Sequence, residues 1–367
     1  MTLICPDLLW QDGALVAGQA VLFEAGRVVE QRARSADDQP DFTPHILMPA
    51  CTDLQVNGAG GVMLNSEPTP EGIATIVDTL RGLGTSWVLP TVITSDAETL
   101  RRTCDAMLDA WGMRGLLGLH IEGPHINVER KGTHNPEFIR PFEDETLDVL
   151  KRLRAADIPV MLTLAPETVP LDLIAKLTDM GVKVFAGHTM ATADQTRAAL
   201  DAGLRGFTHL YNAMPQMTSR NPGIIAAALA SDGYAGIIAD GHHVDWDMIA
   251  LACRARPKAG CMFMVSDAMA TIGGPDFFML YGEKISVKDG ALVNANGSLA
   301  GAHIDMLTCL RNMIIHVGIA PEQAIAMATD IPHEVMGLTP PVVDMGTYLG
   351  DCVALNSDFT RCEMIIN

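Results

Sequence analysis

Between residues 46 and 267 the chain alternates short apolar runs with longer stretches of helical period. The runs include Ser86-Trp-Val-Leu-Pro-Thr-Val92, Leu116-Leu-Gly-Leu-His-Ile-Glu122 and Pro159-Val-Met-Leu-Thr-Leu-Ala165. They are short and almost wholly apolar, the pattern of strands covered on both faces. The intervening stretches, near 70–83, 97–111, 144–155, 171–180, 193–202, 224–231 and 247–254, repeat apolar residues at helical spacing. Together they make about eight strand–helix units, which predicts an α/β chain folded as a (β/α)8 TIM barrel. A doubly wound sheet is the rival. Polar residues at the ends of many different strands favour the barrel, whose open face gathers all of them.

The two ends lack this rhythm. Ala14-Leu-Val-Ala17 and Ala20–Glu30 alternate between glycine turns, and 346–356 and Cys362-Glu-Met-Ile-Ile366 are strand-like again. We therefore expect a small β-sandwich domain built from residues 1–45 and 336–367, flanking a catalytic barrel over 46–335. Residues 273–300 interrupt the alternation and predict a hairpin excursion, with Phe277–Glu283 and Ala291–Gly297 as its strands. Helices return near 305–317 and 321–329.

Several of the apolar runs end in residues that can hold a metal ion. Leu116–Glu122 ends in His120-Ile-Glu122, Val184-Phe-Ala-Gly-His188 in a histidine, Gly206-Phe-Thr-His209 in another, and Cys261–Asp267 in an aspartate. A carboxylate at the end of an apolar strand is costly without a partner, and a cation is one such partner. Glu122, His188 and His209 can supply three ligands to a zinc or similar divalent ion. Asp267 is then left to take a proton from water and pass it to a leaving nitrogen. His120 shares a strand face with Glu122, so it reads either as a site residue or as a core histidine. The turn Gly58-Ala-Gly-Gly61 lacks the spacing of a dinucleotide fingerprint.

Composition narrows the partners. A formal net charge of -19 argues against nucleic acid and anionic membrane surfaces, so neither is expected as a partner. It also means that a phosphorylated ligand would need local cations. No apolar run approaches the roughly 18 residues of a membrane span, and the N-terminus carries no basic region followed by a cleavage site. Eight scattered cysteines with no C-x-x-C pair predict reduced thiols and a cytoplasmic protein.

Eight motifs, taken in order, carry a resemblance over nearly the whole chain. They are Asp53-Leu-Gln-Val-Asn-Gly58, His120-Ile-Glu-Gly-Pro124, Lys131-Gly-Thr-His-Asn-Pro136, Leu164-Ala-Pro-Glu167, Gly187-His-Thr189, Thr208-His-Leu-Tyr-Asn-Ala-Met214, Ile238-Ala-Asp-Gly-His-His-Val244 and Ser266-Asp-Ala268. The set resembles the N-acetylglucosamine-6-phosphate deacetylases of the amidohydrolase superfamily. The resemblance implies Glu122, His188 and His209 as metal ligands and Asp267 as general acid/base, with one divalent ion per subunit, zinc first and iron or another ion as alternatives. It implies that His134 hydrogen-bonds the acetamide carbonyl, that Asn212 and Ala213 hold the sugar or phosphate, and that Arg220 and His243 bind the 6-phosphate. The first strand reads Gln55-Val-Asn57 where most of the superfamily has His-x-His, so Gln55 and Asn57 are expected beside the substrate and a second metal site to be lost. The implied substrate is a small phosphorylated amino sugar, and phosphate contacts shared between subunits imply a homodimer. One departure stands at Leu299-Ala-Gly-Ala302-His303, where the family usually has Leu-Ala-Gly-Ser. Two rivals remain: a deacetylase for an epimeric substrate such as N-acetylgalactosamine 6-phosphate, and a non-catalytic scaffold. The retained Glu122, His188, His209 and Asp267 argue against the scaffold.

Overall fold

Apolar strands buried on both faces need cover on both sides, and a closed ring with an outer layer of helices supplies it. The computed structural model describes residues 1–363. Its largest sheet has eight parallel strands in sequence order: Cys51–Val56, Thr85–Ile93, Leu119–Glu122, Val160–Leu164, Lys183–Ala186, Gly206–Phe207, Tyr234–Ile237 and Met262–Met264. The ring nearly closes. The first strand meets the chain just after the eighth through a parallel bridge between Val56 and Ala268. Helices at Pro70–Gly82, Ala97–Ala110, Asp144–Ala155, Leu171–Asp179, Ala193–Asp201, Gly223–Leu229 and Trp246–Ala255 join successive strands. Their starts are chemically marked. Thr69 and Asp96 accept from backbone amides of the first turn, and Thr192 and Gln195 form a capping box. The (β/α)8 barrel expected from the sequence is the observed fold.

Beneath the open face one buried polar cluster satisfies its own hydrogen bonds. His120 lies between Thr91 Oγ1 at 3.3 Å and Thr163 Oγ1 at 2.8 Å, and Thr163 pairs with Thr208 at 2.6 Å. Of the two readings left for His120, this is the core histidine: fully buried, and pushed by that burial down to about 4.

The flanking sheets draw on both chain ends. One has the order Cys352–Leu355, Ile46–Pro49, Leu8–Gln11, Ala14–Ala17; the other is Thr2–Ile4, Gln19–Glu24, Arg27–Ala33. Leu9, Leu47 and Cys352 from the first pack with Ile4, Val21, Phe23 and Val28 from the second. This corrects the boundary at residue 46. Ile46–Pro49 pairs with Leu8–Leu9 and with Cys352–Leu355, so it is a central strand of the small sheet. The apolar run 46–57 is thus two strands, Ile46–Pro49 and Cys51–Val56, serving different sheets. A second correction concerns the excursion after the eighth strand. It has three antiparallel strands, Phe277–Leu280, Glu283–Lys288 and Ala291–Val293. The middle one buries only Ile285, too weak an alternation to mark it in the sequence. A further helix, Asp330–Met336, follows Pro321–Ala328. In the expected tail strand from Cys362, residues 362 and 363 are not in a strand, and the rest lies outside the described residues. No helix among the described residues is long and apolar enough to cross a membrane.

Two buried histidines away from the site set an acid limit on the fold. His125 bonds the Arg140 carbonyl and Thr146, and His333 contacts Thr52 and the Thr329 carbonyl. Burial pushes both down to about 4. In the unfolded chain they titrate near 6.5. The unfolded state therefore takes up protons first as pH falls, so stability present above 6.5 is lost progressively down to pH 4. Thermal melts should show Tm falling through that window. A flat Tm from pH 7 to 4.5 would contradict the assignment.

Candidate metal and catalytic centre

The polar strand ends converge on one cavity of about 170 Å³ at the C-terminal face of the barrel. Glu122 ends the third strand and is 2% exposed. His188 and His209 follow the fifth and sixth strands, and Asp267 follows the eighth. His188, His209 and Asp267 have φ of 49°, 29° and 52°, a left-handed backbone that non-glycine residues seldom adopt. Such residues persist only where their surroundings hold them, and they gather at functional sites. The packing here is close. A side chain at Gly187 would place Cβ 2.7 Å from Thr163 Cγ2 and 2.9 Å from Thr208 Cβ.

Glu122 Oε1 lies 3.0 Å from Nε2 of His188 and 3.0 Å from Nε2 of His209, and the two Nε2 atoms are 3.1 Å apart. The Arg130 carbonyl, 2.8 Å from His188 Nδ1, accepts a hydrogen bond from that nitrogen, which therefore carries the ring proton. This leaves a lone pair on His188 Nε2 facing the Glu122 carboxylate. An arrangement of that kind is repulsive unless a cation sits among the three atoms. Atoms bound about 2.0–2.1 Å from one tetrahedral ion lie roughly 3.3 Å apart, so the trio fits a metal. Glu122, His134 and His188 also have ligand atoms within 4.8 Å of one another. The tighter grouping is the one with His209. Burial pushes the Glu122 carboxyl up, but the neighbouring His188 and His209 side chains outweigh it and hold the group well below the usual range. For His209, burial acts downward, and the hydrogen bond and charge of Glu122 overcome it and raise it.

Of Gln55 and Asn57, both expected beside the substrate, only Asn57 lines the cavity. Gln55 Nε2 donates to both Glu122 oxygens at 3.2 Å and to Asp267 Oδ1 at 3.1 Å, and it does not line the cavity. Asn57 does line it, and donates to Asp267 Oδ1 at 2.7 Å. Gln55 thus bridges two buried carboxylates that would otherwise repel, and Asn57 adds a second donor to Asp267. Burial, and then the charge of Glu122, push Asp267 up to about 6.

His134 is buried, with Nδ1 2.7 Å from Thr94 Oγ1, and its ring lies 4.3 Å from that of His188. Burial first, then the nearby His188 ring, hold it well below the usual histidine range. Asn212, Ala213 and His243 line the cavity. Asp240 fixes His243, accepting from its backbone amide at 2.8 Å and lying 2.6 Å from its Nδ1, whereas His242 is exposed. Arg220 is exposed on the 215–222 segment and is not among the lining residues; the cavity has no lysine or arginine at all. At the departure from the family pattern, His303 bonds Thr271 and stays out of the cavity. Sequence reasoning passed over Thr94, the Asp240 carboxylate and Glu167. Glu167 accepts from Asn127, Thr189 and the Met190 amide, and so ties down the loop behind His188. A polar residue ending the second apolar run was the available signal for Thr94.

Residues 46–342 match the amidohydrolase family model. The chain is 37% identical over 305 residues to an N-acetylgalactosamine-6-phosphate deacetylase of Shewanella sp. strain ANA-3, covering 81% of this chain and 76% of that protein. It is 34% identical over 292 residues to an N-acetylglucosamine-6-phosphate deacetylase of Haemophilus influenzae, covering 78% and 76%. The crystal structure of N-acetylglucosamine-6-phosphate deacetylase from Pasteurella multocida superposes with a TM-score of 0.88 at 30% identity, over 98% of this chain and 96% of that one.

Proposed function

The chain belongs to the amidohydrolase family, a family of metal-dependent hydrolases, and from that premise we propose that it deacetylates N-acetyl-D-glucosamine 6-phosphate. Water cleaves the acetamide C–N bond; its oxygen goes to the acetyl carbon and its protons to the departing nitrogen and to solvent, giving glucosamine 6-phosphate and acetate. The observation that carries this reading is the close trio of Glu122, His188 and His209 with Asp267 beside it on one cavity. That trio would hold one divalent ion, with zinc the first candidate for its nitrogen and oxygen donors. Such an ion lowers the pKa of bound water to about 7 and polarises a carbonyl.

The chain's own residues do the rest. Asp267, with its carboxylate steered by Asn57, takes a proton from the attacking water and returns it to the leaving nitrogen. His134 donates to the acetamide oxygen as negative charge grows there. Its other ring nitrogen is occupied by the Thr94 hydroxyl, which turns Nε2 toward the substrate. Asn212 and Ala213 hold the sugar, and His243, braced by Asp240, meets the phosphate. The cavity lacks a cation of its own, and Arg220 is exposed outside it. We therefore assign the protein as a homodimer in which Arg220 of the partner subunit completes the phosphate site. Eight unpaired cysteines favour the cytoplasm.

The name of the Shewanella relative gives the galactosamine epimer a specific claim as a second reading. Acetate release from both 6-phosphates decides between them. The glucosamine substrate is expected to have the higher kcat/KM by about tenfold, the value of one well-placed hydrogen bond. The opposite order would replace the first reading with the second.

A further inference from the structure

Asp53 is a buried carboxylate that the reaction above does not use. It lies on the first barrel strand with 0% exposure, two residues before Gln55. Its partners are backbone amides from two different strand regions. Oδ1 accepts from Gln55 N at 3.2 Å, and Ser266 N lies 3.2 Å from Oδ1 and 3.3 Å from Oδ2. Burial pushes the group up to about 7, while hydrogen bonds from Ser266 and from the Gln55 amide act against that rise.

The location matters because it is the barrel seam. The first and eighth strands stand at opposite ends of the hydrogen-bonded order. The seam is held by the Val56–Ala268 bridge, by Asp267 N donating to Gln55 O at 3.0 Å, and by Asn57 N donating to Ala268 O at 2.8 Å. Asp267 sits in this seam with a left-handed backbone. A residue in that conformation is strained and persists only where its neighbours hold it. Its preceding amide is gripped by Asp53, and its following amide, Ala268 N, donates to Ser266 Oγ at 3.0 Å.

We propose that Asp53 is a positioning residue that clamps the Ser266–Ala268 turn to the first strand and so aims the Asp267 carboxylate into the cavity. The proposal rests on the proton-carrying role given to Asp267. Asparagine at position 53 keeps the volume but offers one acceptor oxygen in place of two, and turns an N–H toward a backbone N–H.

A double-mutant cycle with single-turnover acetate release and metal analysis tests it. Asp53→Asn is expected to lower kcat by about 10- to 100-fold, with KM within about threefold and metal content unchanged. In the Asp267→Asn background the same change should cost less than about threefold, since the group it aims is already gone. Equal losses in both backgrounds would overturn the proposal and leave Asp53 a general structural residue. If Asp267→Asn alone keeps the full rate, the role of Asp267 fails first, a separate result that also removes the basis for the clamp. Should Asp53→Asn fail to fold, Ser266→Ala removes the hydroxyl that accepts from Ala268 N. The same non-additivity is then required of it.

Discussion

Glu122→Gln protein is expected to purify with almost no divalent ion and with turnover reduced at least about 1,000-fold. The substitution is nearly isosteric, so the barrel should fold. What changes is charge. Glu122 supplies the only carboxylate of the trio, within 3.0 Å of both imidazole Nε2 atoms. A neutral amide is a poor ligand for a hard or borderline cation, and two imidazoles alone do not complete a zinc site. Elemental analysis of wild-type protein purified without added metal should give about one ion per chain, the mononuclear stoichiometry implied by Gln55 and Asn57 in place of histidines. Metal content and rate both unchanged in Glu122→Gln would dismantle the site assignment.

Asp267→Asn is expected to keep its metal and lose the chemistry. General acid/base groups contribute about 100- to 10,000-fold, and in the proposed reaction Asp267 serves both the water and the leaving nitrogen, so kcat should fall within that range. The carboxylate lies against Asn57 Nδ2 at 2.7 Å and is not among the atoms that crowd Glu122 Oε1. Metal content should therefore match wild type, which separates this variant from Glu122→Gln. A near wild-type kcat would reject the role. So would loss of the metal, since Asp267 would then be acting as a ligand.

Much of this is legible in the sequence. Period-2 and period-3.6 patterns are local, so the strand–helix alternation could be read residue by residue. The strand ends bearing Glu122, His188, His209 and Asp267 could be read too, because a polar residue closing an apolar run stands out. What escaped depends on who meets whom across the barrel. Gln55 looked like a substrate residue and instead bridges Glu122 and Asp267, residues 67 and 212 positions away. Asp53, Thr94 and Glu167 work through partners distant in the chain, on segments that follow other strands, and nothing in their own neighbourhoods announces it. Ile46–Pro49 looked continuous with the barrel strand because both are apolar; the choice of sheet is made by Cys352–Leu355, far along the chain. Arg220 stands outside the cavity, and the local spacing of its motif gives no sign of that.

That last strand pairing also orders events during synthesis. Ile46–Pro49 is flanked by Leu8–Gln11 on one side and Cys352–Leu355 on the other. Until residues 352–355 leave the ribosome, its second edge presents bare peptide groups to any passing strand. The whole barrel is translated in that interval, at roughly 5–20 residues per second, so the nascent chain carries an open edge for about 15–60 seconds. Chaperone demand should thus fall on the amino-terminal sheet, and it ends only when the final strand snaps into place.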